Sequence, residues 1–133
     1  MTALETVYDF LKGKTFFIAS CEGDQPRVRP FGITHVFEGK LYIQTGRSKK
    51  CYKQFVEQKV ELCCLDGGKW LRLSGTLHDD KRIEAEQSVA DANPALYQNG
   101  MYKVGDGNNC VLYFTDVKAT ISGFGSPEEV YEF

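Results

Sequence analysis

The sequence contains no C-x-x-C pair, no G-x-S-x-G and no apolar run near the roughly 18 residues that a membrane-spanning helix needs. Met1 to Glu5 also lacks the basic stretch and apolar segment of a secretory signal, so a cytoplasmic protein with no membrane partner is expected. Five cysteines, Cys21, Cys51, Cys63, Cys64 and Cys110, are an odd number with no zinc-type spacing. They are expected to be reduced thiols, with no metal bound. An excess of positive charge is missing too: Lys+Arg number 16 against Asp+Glu 18, a net −2. No overall field is available to hold a nucleic acid by counterion release, so any anion has to be held by a local cluster.

Glycine and aromatic residues are plentiful. Thirteen Gly and 13% aromatics suit short strands joined by tight turns, and 133 residues suit one domain, 1–133, with one core. Leu4, Val7, Tyr8 and Leu11 recur at helical spacing behind Thr2 as N-cap, with Gly13 as the stop. Thr15–Cys21 reads as a strand, Glu22–Pro26 as a turn, Arg27–Phe37 as a second strand and Leu41–Thr45 as a third. Ser48 is the expected N-cap of a short helix carrying Tyr52, Phe55 and Val56. Val60–Leu65 and Lys69–His78 flank Asp66-Gly67-Gly68, a hairpin signal. Asp79 or Asp80 is expected to cap a third helix that ends at Asn93-Pro94. A Gly-rich loop from 99 to 109, expected to be mobile, precedes strands at Val111–Phe114 and Val117–Phe124, and an acidic tail follows. The expected class is mainly β (α+β): an antiparallel sheet curled into a small barrel with three flanking helices.

Two basic stretches carry the chemistry. Gln44-Thr45-Gly46-Arg47-Ser48-Lys49-Lys50-Cys51-Tyr52-Lys53 gathers hydroxyls and cations where a strand gives way to a helix, a place suited to a phosphate. Cations there oppose the helix dipole, and a bound anion would compensate them. In Pro26-Arg27-Val28-Arg29-Pro30 the period of two puts Arg27 and Arg29 on one face and Val28 and Pro30 on the other. The bland alternatives are a solvated turn and a charged edge strand that blocks aggregation.

Taken in order, Gln25-Pro26-Arg27-Val28-Arg29-Pro30-Phe31-Gly32, Gly39-Lys40-Leu41-Tyr42-Ile43-Gln44-Thr45, Ser48-Lys49-Lys50, Val60-Glu61-Leu62-Cys63 and Trp70-Leu71-Arg72-Leu73-Ser74-Gly75 resemble the pyridoxamine 5′-phosphate oxidase-like flavoproteins, particularly the small members grouped with nitroimidazole-resistance proteins. The resemblance covers roughly residues 4 to 125. It implies a split β-barrel that binds FMN at two equivalent sites in a homodimer interface. Arg27, Val28, Arg29 and Pro30 would then line the isoalloxazine and ribityl chain, with Gln44 and Thr45 beside them. Ser48, Lys49 and Lys50 would cradle the phosphate, and Trp70 would stack on the ring or fill the barrel. Lysine at 49 keeps the charge of the family's arginine and loses its bidentate fork. The chain carries no terminal segment of Trp and Arg like that of the true oxidases, and no second cationic cluster for a phosphorylated substrate, so vitamin B6 oxidation is not expected.

The function so implied is electron transfer from NAD(P)H to a small oxidised molecule, with no acid or base assigned as catalytic. The alternative is a non-catalytic flavin- or haem-related sensor module. Gly105–Cys110 departs from a dinucleotide fingerprint, because it misses the last glycine and precedes a strand. His35 and His78 read as satisfied barrel histidines or as groups facing a substrate. Cys51 reads as a packed side chain or a thiol activated by nearby cations, and Cys63 and Cys64 point to opposite faces.

Overall fold

The computed structural model describes residues 1–133. Thr2 caps α1 (Ala3–Leu11) by accepting the Glu5 N–H, and the helix buries Val7 and Leu11. Then follow β1 (Phe16–Glu22), β2 (Gln25–Phe31), β3 (Thr34–Phe37), β4 (Lys40–Gly46), α2 (Cys51–Phe55), β5 (Gln58–Asp66), β6 (Lys69–Asp79), α3 (Ile83–Ala92), α4 (Pro94–Gln98), β7 (Asn109–Gly123) and β8 (Ser126–Glu132). The strands form one eight-stranded sheet in the order β2-β1-β5-β6-β7-β4-β3, with β8 beside β7. Every strand pair is antiparallel.

Curling follows from connectivity. The two edges of the sheet, β2 and β3, are consecutive in the chain and joined only by Gly32-Ile33. Three Cα steps span at most about 11 Å, so the edges meet at this corner although they do not pair. The result is the expected barrel, with its split between β2 and β3. The single strand read across 27–37 is therefore two strands at opposite ends of the sheet. The two closing strands are instead one, β7, whose start pairs with β4 and whose end pairs with β8. The switch falls at Asp116, whose φ is +53°, and beside a bulge between Ser74 and Thr76. Gly75 makes that bulge possible: a Cβ there would lie 3.0 Å from Phe114 and 3.2 Å from the Thr115 carbonyl.

Some local expectations fail at the helix starts. Ser48 caps nothing: α2 starts at Cys51 behind Lys50, and the Ser48 N–H donates to Asn108 Oδ1. Neither Asp79 nor Asp80 caps α3, whose N-cap is Arg82. Both carboxylates are engaged by arginine and tyrosine side chains. A fourth helix, α4, starts on Pro94 as its first residue, so the proline that ends α3 also opens the next turn. The acidic tail is β8, paired with β7 and closed by reciprocal bonds between Val117 and Phe133.

The main core lies inside the barrel and collects Phe16, Ile18, Leu62, Leu71, Leu73 and Leu112 from the strands and Val7, Leu11 and Phe55 from the helices. A smaller cluster, Tyr42, Ala85, Val89 and Val111, seats α3 on the other face of β4 and β7. Phe55 is wholly buried against Phe31, ring centroids 5.7 Å apart, and ties the short α2 to the barrel. Replacing Phe55 by alanine should lower stability by about 3–5 kcal/mol, read from the denaturant midpoint. A loss below about 1 kcal/mol would mean that α2 is not anchored this way.

Candidate functional site

A cleft of about 580 Å³ opens where the barrel is split. One wall is the end of β2 and the link to β3: Arg29, Pro30, Phe31, Gly32 and Ile33. Gln44 and Thr45 at the end of β4 form the floor, Lys49, Lys50 and Cys51 the basic end, and Leu96, Met101 and Tyr102 the opposite wall. The cleft thus joins three cations to an apolar face, and edge-strand backbone runs along one side.

Among the residues singled out in the sequence, Arg29, Pro30, Gln44, Thr45, Lys49 and Lys50 come together here. Four do not. Arg27 is exposed and pairs with Glu22 at 3.0 Å. Val28 points to the outer face of the sheet, ladder partner of Ala19. Ser48 offers its backbone N–H to Asn108 at 2.9 Å and lies outside the lining. Trp70 packs edge-on against Phe124, centroids 5.3 Å apart, near the hairpin end of β6. About 30 Å of strand separates it from Asp79 at the other end. Alternation in β2 separates Arg29 from Val28, but Pro30 at the strand's end reaches the cleft as well, and only one of the two arginines does.

Arg29 is held rigidly. Its guanidinium donates to the Ile18 carbonyl (3.1 Å), Ser20 Oγ (2.8 Å) and Gln54 Oε1 (2.7 Å), and stands 5.0 Å over the Phe55 ring. All these partners are neutral. Neither Arg29 nor Lys49 nor Lys50 takes part in any ion pair of the molecule, so three positive charges border the cleft without a counter-ion.

Arg47 behaves differently from the expectation that grouped it with these cations. It makes a bidentate pair with Asp79 (2.9 and 2.8 Å) and donates to the carbonyls of Gly107 and Asn109. Tyr52 adds a third bond to Asp79 at 2.7 Å. Burial alone would push the Asp79 carboxyl up, yet the bonds from Arg47 and Tyr52 outweigh it and hold the group below its ordinary range. Arg47 is therefore a clamp between β4, β6 and the 99–109 loop. Helix polarity also contributes less than the sequence suggested, since α2 has only five residues and few dipoles to sum. The anion preference of this corner rests on its uncompensated lysines and arginine.

The loop beyond α4 is tied down by side chains. Asp106 accepts the N–H groups of Lys103, Asn108 and Asn109, and Glu86 accepts that of Gly105. Its residues Met101 and Tyr102, with Leu96 of α4, are the wall that sequence reading missed. The one available signal was Pro94 at the start of a Leu-Tyr-containing turn. Tyr102 closes tightly on the chain, because a Cβ on Gly46 would meet its ring at 3.1 Å.

Both histidines are satisfied. His35 Nε2 lies 2.6 Å from Ser88 Oγ, and burial lowers its pKa. His78 bridges Glu57 and Thr115 and does not line the cleft. All five cysteines are free, Cys63 exposed and its neighbour Cys64 buried. Burial and the nearby Asp79 push the Cys110 thiol far up, so it is inert at neutral pH. No cluster of His, Cys, Asp and Glu is arranged to hold a metal ion, and no helix is long and apolar enough to cross a membrane.

No family model matches the sequence, and no curated protein does. Solved structures do match. A protein related to general stress protein 26, of the pyridoxinephosphate oxidase family, from Clostridium acetobutylicum superposes with a TM-score of 0.72 at 16% identity, over 98% of this chain and 94% of that one. The general stress FMN/FAD binding protein of Xanthomonas citri gives 0.70 at 17% identity, over 92% and 89%. Both share the fold. A NimC/NimA family protein from Clostridium acetobutylicum is 40% identical over 100% of this chain and 95% of its own, with a TM-score of 0.92. At that identity over its whole length, in a fold shared with the pyridoxamine phosphate oxidase-like proteins, the chain belongs to the NimC/NimA family.

Proposed function

We propose that the cleft binds FMN, with the phosphate held by Lys49 and Lys50 and the flavin lying along Arg29–Ile33 against Leu96, Met101 and Tyr102. The observation that carries this reading is charge. Two lysines with no carboxylate partner stand together in a cleft otherwise lined largely by apolar side chains, with Arg29, equally without a counter-ion, in its wall, which matches a dianionic tail on a flat, largely apolar ring. The Xanthomonas relative, named as an FMN/FAD-binding protein on the same fold, supports it. Gln44 and Thr45 would meet the ribityl chain or ring edge, and Arg29 would stabilise negative charge on the reduced ring. When bound, FMN supplies hydride acceptance and electron donation; the protein supplies position and electrostatics.

The working unit is a homodimer with two flavin sites. Register places Phe17, Val28, Leu65 and Val130 on one outer face of the sheet, all exposed, around a charged centre that includes the Glu61–Arg72 pair, a mixed surface suited to a second copy. Trp70 borders this same face and would reach a flavin only across such an interface. Light scattering should give twice the 15.0 kDa chain mass.

The reaction is electron transfer from a reduced nicotinamide to a small oxidised molecule in the cytoplasm, without nucleic acid. The test is a spectrum followed by turnover. Protein mixed with FMN should retain a yellow chromophore through gel filtration, lose its long-wavelength band with NADH or NADPH, and regain it with a quinone or nitro compound. No binding contradicts the flavin site. Binding without reduction by either donor contradicts the oxidoreductase and leaves a flavin-binding module.

A further inference from the structure

Glu86 is a carboxylate on α3 that is only 4% exposed and pairs with no cation. Its Oε1 accepts two N–H groups, one from the Gly105 backbone and one from Asn109 Nδ2, both at 3.0 Å. Asn109 is wholly buried, and its Oδ1 accepts from Gln44 Nε2 at 3.0 Å and from the Tyr97 hydroxyl at 2.9 Å. Gln44 Nε2 spends its second proton on the Thr45 carbonyl at 3.1 Å. Four elements, α3, α4, β7 and β4, thus contribute to one chain of hydrogen bonds that ends on a residue lining the cleft.

The order of donors along this chain is forced. A carboxylate oxygen carries no proton and can only accept, so Asn109 has to turn its NH₂ toward Glu86. Its oxygen then faces Gln44, and Gln44 has to turn its own NH₂ inward. Reversing either amide would set two oxygens against each other in a buried site. Both N–H bonds of Gln44 are therefore used inside the protein, and Oε1 is what remains for the cleft.

We propose that Glu86 and Asn109 are positioning residues that fix Gln44 as a pure hydrogen-bond acceptor toward the cleft, so that the ligand group received there is a donor, a hydroxyl or a ring N–H. That this donor belongs to a flavin, on its ribityl chain or ring edge, rests on the reading above; the orientation of Gln44 does not. Oxidised flavin presents several acceptors along its ring edge, and an acceptor-only Gln44 rejects poses that bring one of them against it.

The test compares the full-length wild type with Glu86→Gln, which keeps an acceptor for Gly105 and Asn109, and Glu86→Met, which keeps the volume and removes the acceptor. The readouts are hydrogen exchange of the Gln44 side-chain NH₂ by ¹⁵N NMR without ligand, and FMN affinity by fluorescence titration. In wild type and Glu86→Gln the Gln44 protons should be protected and FMN affinity alike. In Glu86→Met protection should be lost and FMN should bind about tenfold more weakly, the effect of one misdirected hydrogen bond. Protection retained in Glu86→Met would overturn the proposal, and so would lost protection with unchanged FMN affinity. Should Glu86→Met fail to fold, the wild type decides: Gln44 protons that exchange as fast as those of free glutamine overturn it. A wild type that protects Gln44 but does not bind FMN contradicts the flavin reading and leaves the orientation standing.

Discussion

Replacing Lys49 and Lys50 together by alanine should weaken FMN binding by about a hundredfold, while the ligand-free protein melts within about 2 °C of wild type. Each lysine is exposed and makes no ion pair in the free protein, so its removal breaks no contact that the fold uses. Toward a phosphate each would make a charge-assisted hydrogen bond, and a pair of these at about 1.5 kcal/mol each amounts to two factors of ten. Single substitutions should divide the effect. A double variant that binds FMN as tightly as wild type would show that the phosphate lies elsewhere. Arg29 is not an equivalent test, because its guanidinium also stitches β1 to α2 through Ser20 and Gln54, and its loss would mix folding with binding.

Removing Asp79 should have the opposite profile, with a large loss of stability at a residue that never meets the ligand. Its side chain is 4% exposed and holds Arg47 through two bonds and Tyr52 through one. Asp79→Ala leaves a largely covered guanidinium without its partner, for which about 3 kcal/mol is the expected cost, near the low end for broken buried pairs because Arg47 is partly exposed. For a domain of this size that is a fall of about 10 °C in Tm. The same pair predicts acid sensitivity. The folded-state pKa of Asp79 is depressed, as are those of Asp80, held by Arg82 and Tyr42, and Asp106, held by backbone N–H groups. Their stabilisation is complete above the unfolded carboxyl pKa, about 3.9, and is lost as pH falls through the lower folded values. Wild type should therefore lose stability steeply below about pH 4. Asp79→Ala should show a shallower slope there, and an unchanged slope would mean that the pair does not carry this linkage.

How much of this was legible in the sequence depends on the range of the interaction. Patterns with a local cause were readable: the α1 cap at Thr2, the Gly67-Gly68 hairpin and the alternation that separates Arg29 from Val28. Choices settled by competition between distant partners were not. Ser48 looks like a helix cap, but the chain turns through 46–50, pinned by Asn108 sixty residues away, and α2 starts only at Cys51, too far on for the Ser48 side chain to cap it. Asp79 and Asp80 look like caps until Arg47 from the turn after β4, Tyr52 from α2 and Tyr42 from β4 take their carboxylates. Arg47 has the same charge as Lys49 and Lys50, and only the fold shows that a carboxylate already occupies it. The split of the 27–37 run had a local signal in Gly32, but that its two halves go to opposite edges of the sheet was equally hidden. The apolar wall was missed for a related reason: Leu96 lies in a helix of only five residues and Met101 and Tyr102 in the loop after it, too short a stretch for any periodicity to register.

The role of the basic end as a phosphate holder is tested most directly by titrating the ligand-free protein with FMN and with riboflavin, which differ only in the phosphate. The account predicts that FMN binds about a hundredfold more tightly, that added salt narrows this gap, and that Lys49→Ala with Lys50→Ala abolishes it. Equal affinities for the two flavins, or no binding of either, would contradict it.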